Sequence, residues 1–115
     1  HEYHRQVGDL MTEALLDLKL LSKEEVANQD PDWPAYKKYF MHGTSHYIGL
    51  DVHDSGLWTE KMAVGNAFTC EPGIYIPEEN IGIRIEDDII IGEKENENLT
   101  SGIPKEVEDI EAAMR

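Results

Sequence analysis

From Glu2 to Leu21 apolar side chains recur at steps of three and four, at Val7, Leu10, Met11, Ala14, Leu15, Leu18 and Leu21. That spacing winds one apolar stripe along a helix, so an amphipathic helix is expected here with those residues against a core. No Ser, Thr, Asp or Asn cap precedes it, the pattern of a chain entered inside an element and a first sign of a fragment. Ser22 stands three residues before Glu25, a capping box that predicts a short second helix around residues 23–27. The run Asn28-Gln29-Asp30-Pro31-Asp32-Trp33 breaks it. Pro34 then suits the first turn of another short helix reaching about Phe40.

Past Met41 the period changes from helical to alternating. In Cys70-Glu71-Pro72-Gly73-Ile74-Tyr75-Ile76 the even positions are mostly apolar, and Glu71, Gly73 and Tyr75 share the other face. In Ile81-Gly82-Ile83-Arg84-Ile85-Glu86-Asp87-Asp88 the isoleucines take the odd positions and Arg84 and Glu86 the even ones. Side chains alternate across a strand, so each strand is expected to carry one apolar face and one face with a carboxylate. Pro72 and Gly73 lack, respectively, a ladder donor and a side chain, which predicts a bend beside Glu71. After Ile89-Ile90-Ile91 the polar run Gly92 to Asn98 reads as a hairpin loop. Pro104 opens a terminal helix with Val107, Ile110, Ala113 and Met114 on one side. The chain thus reads as helices at both ends of a β-rich middle.

Composition narrows the partners. The 115 residues hold 24 acidic against 10 basic side chains, a formal net charge of -14. Such a surface repels phosphate backbones and anionic membranes, so no nucleic acid and no membrane partner is expected. Cys70 is the single cysteine, which excludes an intrachain disulfide and points to a reducing, cytoplasmic setting. No stretch approaches the about 20 apolar residues a membrane span requires.

Candidate chemistry concentrates in MHGTSHYIGLDVHD, residues 41–54, where His42, His46 and His53 are interleaved with small residues. A lone histidine is usually a structural residue; three among Gly43, Ser45 and Gly49 favour access to a ligand. Glu86, two residues from Arg84, has a bland reading as half of an exposed ion pair worth roughly 0–1 kcal/mol, a weak reason to charge an isoleucine strand. An imidazole with several carboxylates suits Mn2+, Co2+ or Zn2+ better than it suits an ion that prefers thiolates. No cysteine pair, HExxH pattern or nucleophile elbow is present, so metal-assisted hydrolysis is the surviving reaction class.

His42-Gly43-Thr44-Ser45-His46, Gly49 to Asp54, Glu71-Pro72-Gly73-Ile74-Tyr75 and Ile83 to Asp88, in that order, resemble the C-terminal half of the aminopeptidase P and prolidase family, through essentially the whole chain. The resemblance implies an α+β pita-bread fold, of which residues 1–115 supply the second half: a curved antiparallel sheet with helices on its outer face. It implies a metallopeptidase cleaving Xaa-Pro peptides, with His46, Glu71 and Glu86 as metal ligands and Glu86 bridging two divalent ions. Manganese is the expected metal, with Co2+ and Zn2+ as alternatives. It also implies that His42 and His53 line the substrate pocket, His53 bonding the scissile carbonyl or its oxyanion, and that Arg84 and Tyr75 organise the site and assist proton movement. The family's centre takes two further aspartates from an upstream strand pair, a pattern that neither Asp9 nor Asp17 meets. The chain alone is therefore expected to be inactive, and to self-associate through its open sheet edge and apolar surface. Prolidase, or a non-catalytic pita-bread module that binds peptides or proteins, are the alternatives.

Overall fold

The computed structural model describes residues 2–115. In chain order the elements are α1 (Glu2–Asp17), α2 (Lys23–Ala27), a 3-10 turn (Ala35–Lys38), β1 (Ala67–Cys70), β2 (Gly73–Ile76), a second 3-10 turn (Pro77–Glu79), β3 (Ile81–Arg84), β4 (Asp87–Ile90), β5 (Glu97–Asn98) and α3 (Val107–Ala113). They fall into two units, one of residues up to Thr44 with Pro72–Arg84, the other of Ser45–Glu71 with Ile85–Arg115.

In the first unit the helices form largely where the spacing places them. The capping box at α2 is complete: the Ser22 hydroxyl accepts from the Glu25 amide at 3.2 Å, and the Glu25 carboxylate accepts from the Ser22 amide at 2.8 Å. Helix α1 ends earlier than its apolar periodicity, at Asp17 rather than Leu21. The cause is a Schellman closure. Lys19 turns left-handed with φ 59°, its amide donates to the Leu16 carbonyl at 3.0 Å, and the Leu20 amide donates to that of Leu15 at 2.9 Å, so the last carbonyls are satisfied as the chain reverses.

The reversal swings Leu21 onto the core. Leu15, Leu21, Tyr36, Tyr39 and Phe40 form a buried cluster, with Val7, Met11 and Leu16 half-buried against it. The buried face of α1 is therefore narrower than its stripe of apolar residues, since Leu10 and Leu18 lie exposed. Ile74 and Ile76 on β2 pack on the same cluster, as their shared strand face requires. Strand β2 pairs antiparallel with β3, Ile74 opposite Ile83 and Ile76 opposite Ile81. The isoleucines of β3 keep that periodicity without cover, Ile81 and Ile83 being exposed.

In the second unit β4 lies between β1 and β5, antiparallel to both. Phe68 on β1 is buried beneath the ring of Tyr47, 4.4 Å between centroids. The two long strands read from the sequence are each interrupted, one at residues 71–72 and the other at 85–86. Pro72 accounts for the first break, having no amide to donate. The second falls within an unbroken isoleucine alternation that gives no sign of it. Helix α3 forms, yet its stripe of Val107, Ile110 and Met114 is exposed.

Candidate metal centre

Position begins with Thr69. It sits on β1 two residues before Glu71, on the same strand face, and is buried. Its hydroxyl accepts from the His46 amide at 3.0 Å and donates to Glu71 Oε1 at 3.1 Å, while its own amide donates to the His46 carbonyl at 3.0 Å. The Ile48 amide adds a bond to the Ala67 carbonyl at 3.2 Å. Residues 46–48 are thereby laid along β1, and His46 is brought beside Glu71.

Carrying the β1/β4 register one place beyond its last pair, Cys70 opposite Asp87, sets Glu71 opposite Glu86. Residues directly opposite in an antiparallel pair have Cβ atoms about 4.5–5.5 Å apart, near enough for both carboxylates to reach one ion. His46, Glu71 and Glu86 each offer a donor atom, and the three lie within 4.8 Å of one another.

Proton positions sharpen the case. His46 Nδ1 lies 2.9 Å from the Tyr47 carbonyl, which can only accept, so Nδ1 carries the hydrogen and a neutral ring presents its lone pair at Nε2. That lone pair faces Glu71 Oε1 at 3.3 Å. Two acceptors at this distance require a proton or a cation between them. Donors about 2.1 Å from one divalent ion stand about 3–3.4 Å apart, so the pair has the spacing a cation imposes. A carbonyl fixing the far nitrogen of a ligating histidine is a usual support in metal sites.

The ring of His53 lies against that of His46, centroids 4.1 Å apart. The turn that delivers it is tied by Asp54, whose carboxylate accepts from the Leu50 and Ser55 amides at 2.9 and 2.7 Å and whose amide donates to the Tyr47 carbonyl at 3.0 Å. Asp87, next to Glu86 and so on the opposite strand face, accepts from Lys105 Nζ at 2.7 and 2.9 Å and from the Thr100 hydroxyl at 2.6 Å. The Lys105 ammonium, then Thr100, hold its carboxyl below the usual carboxylate range.

His42 and Tyr75 belong to the first unit. There His42 Nε2 meets the Tyr75 hydroxyl at 2.8 Å and Nδ1 meets the Gly43 carbonyl at 2.8 Å. Arg84 closes β3 opposite Gly73, at the surface. The sequence reading gave no role to Thr69, Asp54 or Lys105; Asp54 lay inside the histidine motif and Thr69 two residues before Glu71. Thr44, inside the histidine motif, is buried with its hydroxyl lacking any hydrogen-bond partner among the described residues. An unmet buried hydroxyl costs about 1–3 kcal/mol, so Thr44→Val should raise stability by about 1 kcal/mol in urea denaturation. A loss of that size instead would reveal a partner for the hydroxyl.

One imidazole and two carboxylates that converge on one point are a donor set that could hold a divalent ion. A model of metallopeptidase family M24 matches residues 1–93; the chain belongs to that family. The Xaa-Pro aminopeptidase of Escherichia coli K12 is 42% identical over 123 residues, covering 95% of this chain and 27% of that protein. Intermediate cleaving peptidase 55 of Saccharomyces cerevisiae is 40% identical, covering 100% of this chain and 23% of that protein. Among solved structures, zinc-substituted E. coli aminopeptidase P in complex with product matches with a TM-score of 0.77 at 42% identity, over 95% of this chain and 27% of that one. The fold is thus the α+β fold of aminopeptidase P, and the chain spans about a quarter of the length of these relatives.

Proposed function

We propose that these 115 residues are the second half of the catalytic domain of a metal-dependent Xaa-Pro aminopeptidase, and that His46, Glu71 and Glu86 are its metal ligands. The observation that carries this reading is the convergence of one imidazole nitrogen and two carboxylate oxygens within 4.8 Å. The aminopeptidase names of the relatives favour it over a dipeptidase. Two further carboxylates from outside the chain complete the centre on this reading, and residues 2–115 alone do not cleave peptides.

Oxygen-rich donors with a single imidazole favour manganese among the hard divalent ions. Bound there, divalent metal supplies Lewis acidity, polarising the scissile carbonyl and acidifying the attacking water. The chain's own groups do the rest. His46 keeps its proton on Nδ1 and leaves Nε2 as a donor. Glu71, oriented by Thr69, takes a proton from the attacking water and returns it to the leaving prolyl nitrogen. His53 hydrogen-bonds the scissile carbonyl as negative charge develops on its oxygen. His42 and Tyr75 serve the substrate side, and Arg84 supports the site. No helix among the described residues is long and apolar enough to cross a membrane. The cytoplasmic reading rests on the single cysteine, Cys70.

The test uses the whole protein that carries this chain. After chelation it should lose cleavage of an Xaa-Pro-Xaa peptide and regain it with Mn2+, while the matched Xaa-Ala-Xaa peptide stays intact. Cleavage that survives chelation, or equal turnover of both peptides, would overturn the proposal. Peptide binding with no cleavage under any metal would identify a non-catalytic module instead.

A further inference from the structure

Tyr75 lies flat across the β2/β3 ladder, and two glycines make that posture available. Gly73 is two residues before it on the same strand face, and Gly82 is its direct partner on β3. A Cβ at Gly73 would come within 2.8 Å of the Tyr75 hydroxyl oxygen and 3.0 Å of Cε2; one at Gly82 would come within 2.9 Å of Cδ1. Neither glycine has a positive φ, a conformation found among the glycines only at Gly65. The backbone therefore has no need of glycine at these two places. Glycine inside a strand ordinarily weakens it, through entropy and lost packing, so the positions call for another explanation. Space for the tyrosine ring supplies it.

The ring's destination is His42. Because the Gly43 carbonyl can only accept, His42 Nδ1 at 2.8 Å carries the hydrogen. In the neutral imidazole Nε2 is then bare, and the Tyr75 hydroxyl at 2.8 Å must donate to it. The His42 ring is held on two sides, by Phe40 at 4.8 Å with the planes 80° apart and by Tyr75 at 5.4 Å and 69°. Its position is set by neighbours, and what remains to be set is the height of the Tyr75 ring above the ladder.

We propose that Gly73 and Gly82 are positioning residues that keep the Tyr75 hydroxyl donating to His42 Nε2, so that both ring nitrogens of His42 are engaged at once. A side chain at either position lifts the ring, breaks that bond and leaves His42 Nε2 open, while the Gly43 carbonyl keeps the hydrogen on Nδ1. The inference rests on the peptidase reading only in giving His42 and Tyr75 work on the substrate; the hydrogen bond is measurable without turnover.

The experiment places Gly82→Ala, Gly73→Ala, Tyr75→Phe and the Gly82→Ala/Tyr75→Phe pair in the whole protein, labelled with 15N-histidine. Gly82 is exposed and Gly73 buried, so Gly82→Ala is the variant that tests the idea even where Gly73→Ala fails to fold. The His42 Nε2 resonance should carry the shift of an accepted hydrogen bond in the parent protein and should move to one new position in Gly82→Ala and Tyr75→Phe alike. On an Xaa-Pro-Xaa peptide, each single variant should lower kcat about tenfold, the worth of one ordinary hydrogen bond, with KM within about twofold. The pair should be no slower than Tyr75→Phe. An unchanged His42 Nε2 resonance in Gly82→Ala, or a further drop in kcat when it is added to Tyr75→Phe, would overturn the inference. A shift of that resonance in a protein that cleaves no peptide would leave it standing and sink the peptidase reading.

Discussion

Glu86→Ala in the whole protein should weaken Mn2+ binding by about a hundredfold or more and reduce Xaa-Pro cleavage to the background rate. The magnitude follows from the known weight of supporting groups: partners that merely orient a ligand are worth about 10–100-fold in affinity, and Glu86 is proposed to touch the ion itself. It faces Glu71 one step past the end of the β1/β4 ladder and closes a triad whose donors span at most 4.8 Å. His46→Ala should match it, since the imidazole is fixed through Nδ1 on the Tyr47 carbonyl and has Nε2 to offer. Titration calorimetry reads the affinity and peptide turnover the rate. Glu78→Ala is the control, because Glu78 makes only a long exposed pair with Lys38 at 3.8 Å and should change neither. Undiminished Mn2+ affinity in Glu86→Ala would remove that residue from the ligand set.

The second large effect concerns stability. Phe40→Ala should cost about 3–5 kcal/mol, the usual range for emptying a buried aromatic site, out of the about 5–15 kcal/mol a domain typically commands. Phe40 is 1% exposed, sits 6.3 Å from the ring of Tyr36 and meets His42 edge-on at 4.8 Å. Phe40 belongs with Leu15, Leu21, Tyr36 and Tyr39 to the buried core of its unit, so its truncation leaves a void inside that core. Urea denaturation should show an earlier midpoint with an unchanged slope, the sign of lost stability without a change in the surface exposed. A cost below about 1 kcal/mol would mean that Phe40 is not packed as described.

What the residues disclosed in advance, and what they withheld, follows a physical line. Helix α2 was legible to the residue because both halves of its capping box are side chains, Ser22 and Glu25. The end of α1 was not, because the left-handed position went to Lys19, where glycine or asparagine is the usual signal. Alternation told which face Ile81, Ile83 and Ile85 share but not whether anything covers it, since cover belongs to the tertiary level; all three are exposed. At the candidate centre the ligand types came from motifs, and their meeting came from register, which no local pattern encodes. Thr69 shows the difference best. A threonine in a strand is unremarked until its hydroxyl is seen between His46 and Glu71.

That single oxygen ties the backbone amide of His46 to the Glu71 carboxylate, and the His46 ring meets the same carboxylate oxygen directly at 3.3 Å. Groups sharing a hydrogen-bond network are typically coupled by about 0.5–3 kcal/mol, so a shift of His46 is felt at Glu71 through the atom both contact. Substitutions at the two positions therefore have non-additive effects, and selection acting on one donor necessarily retunes the other.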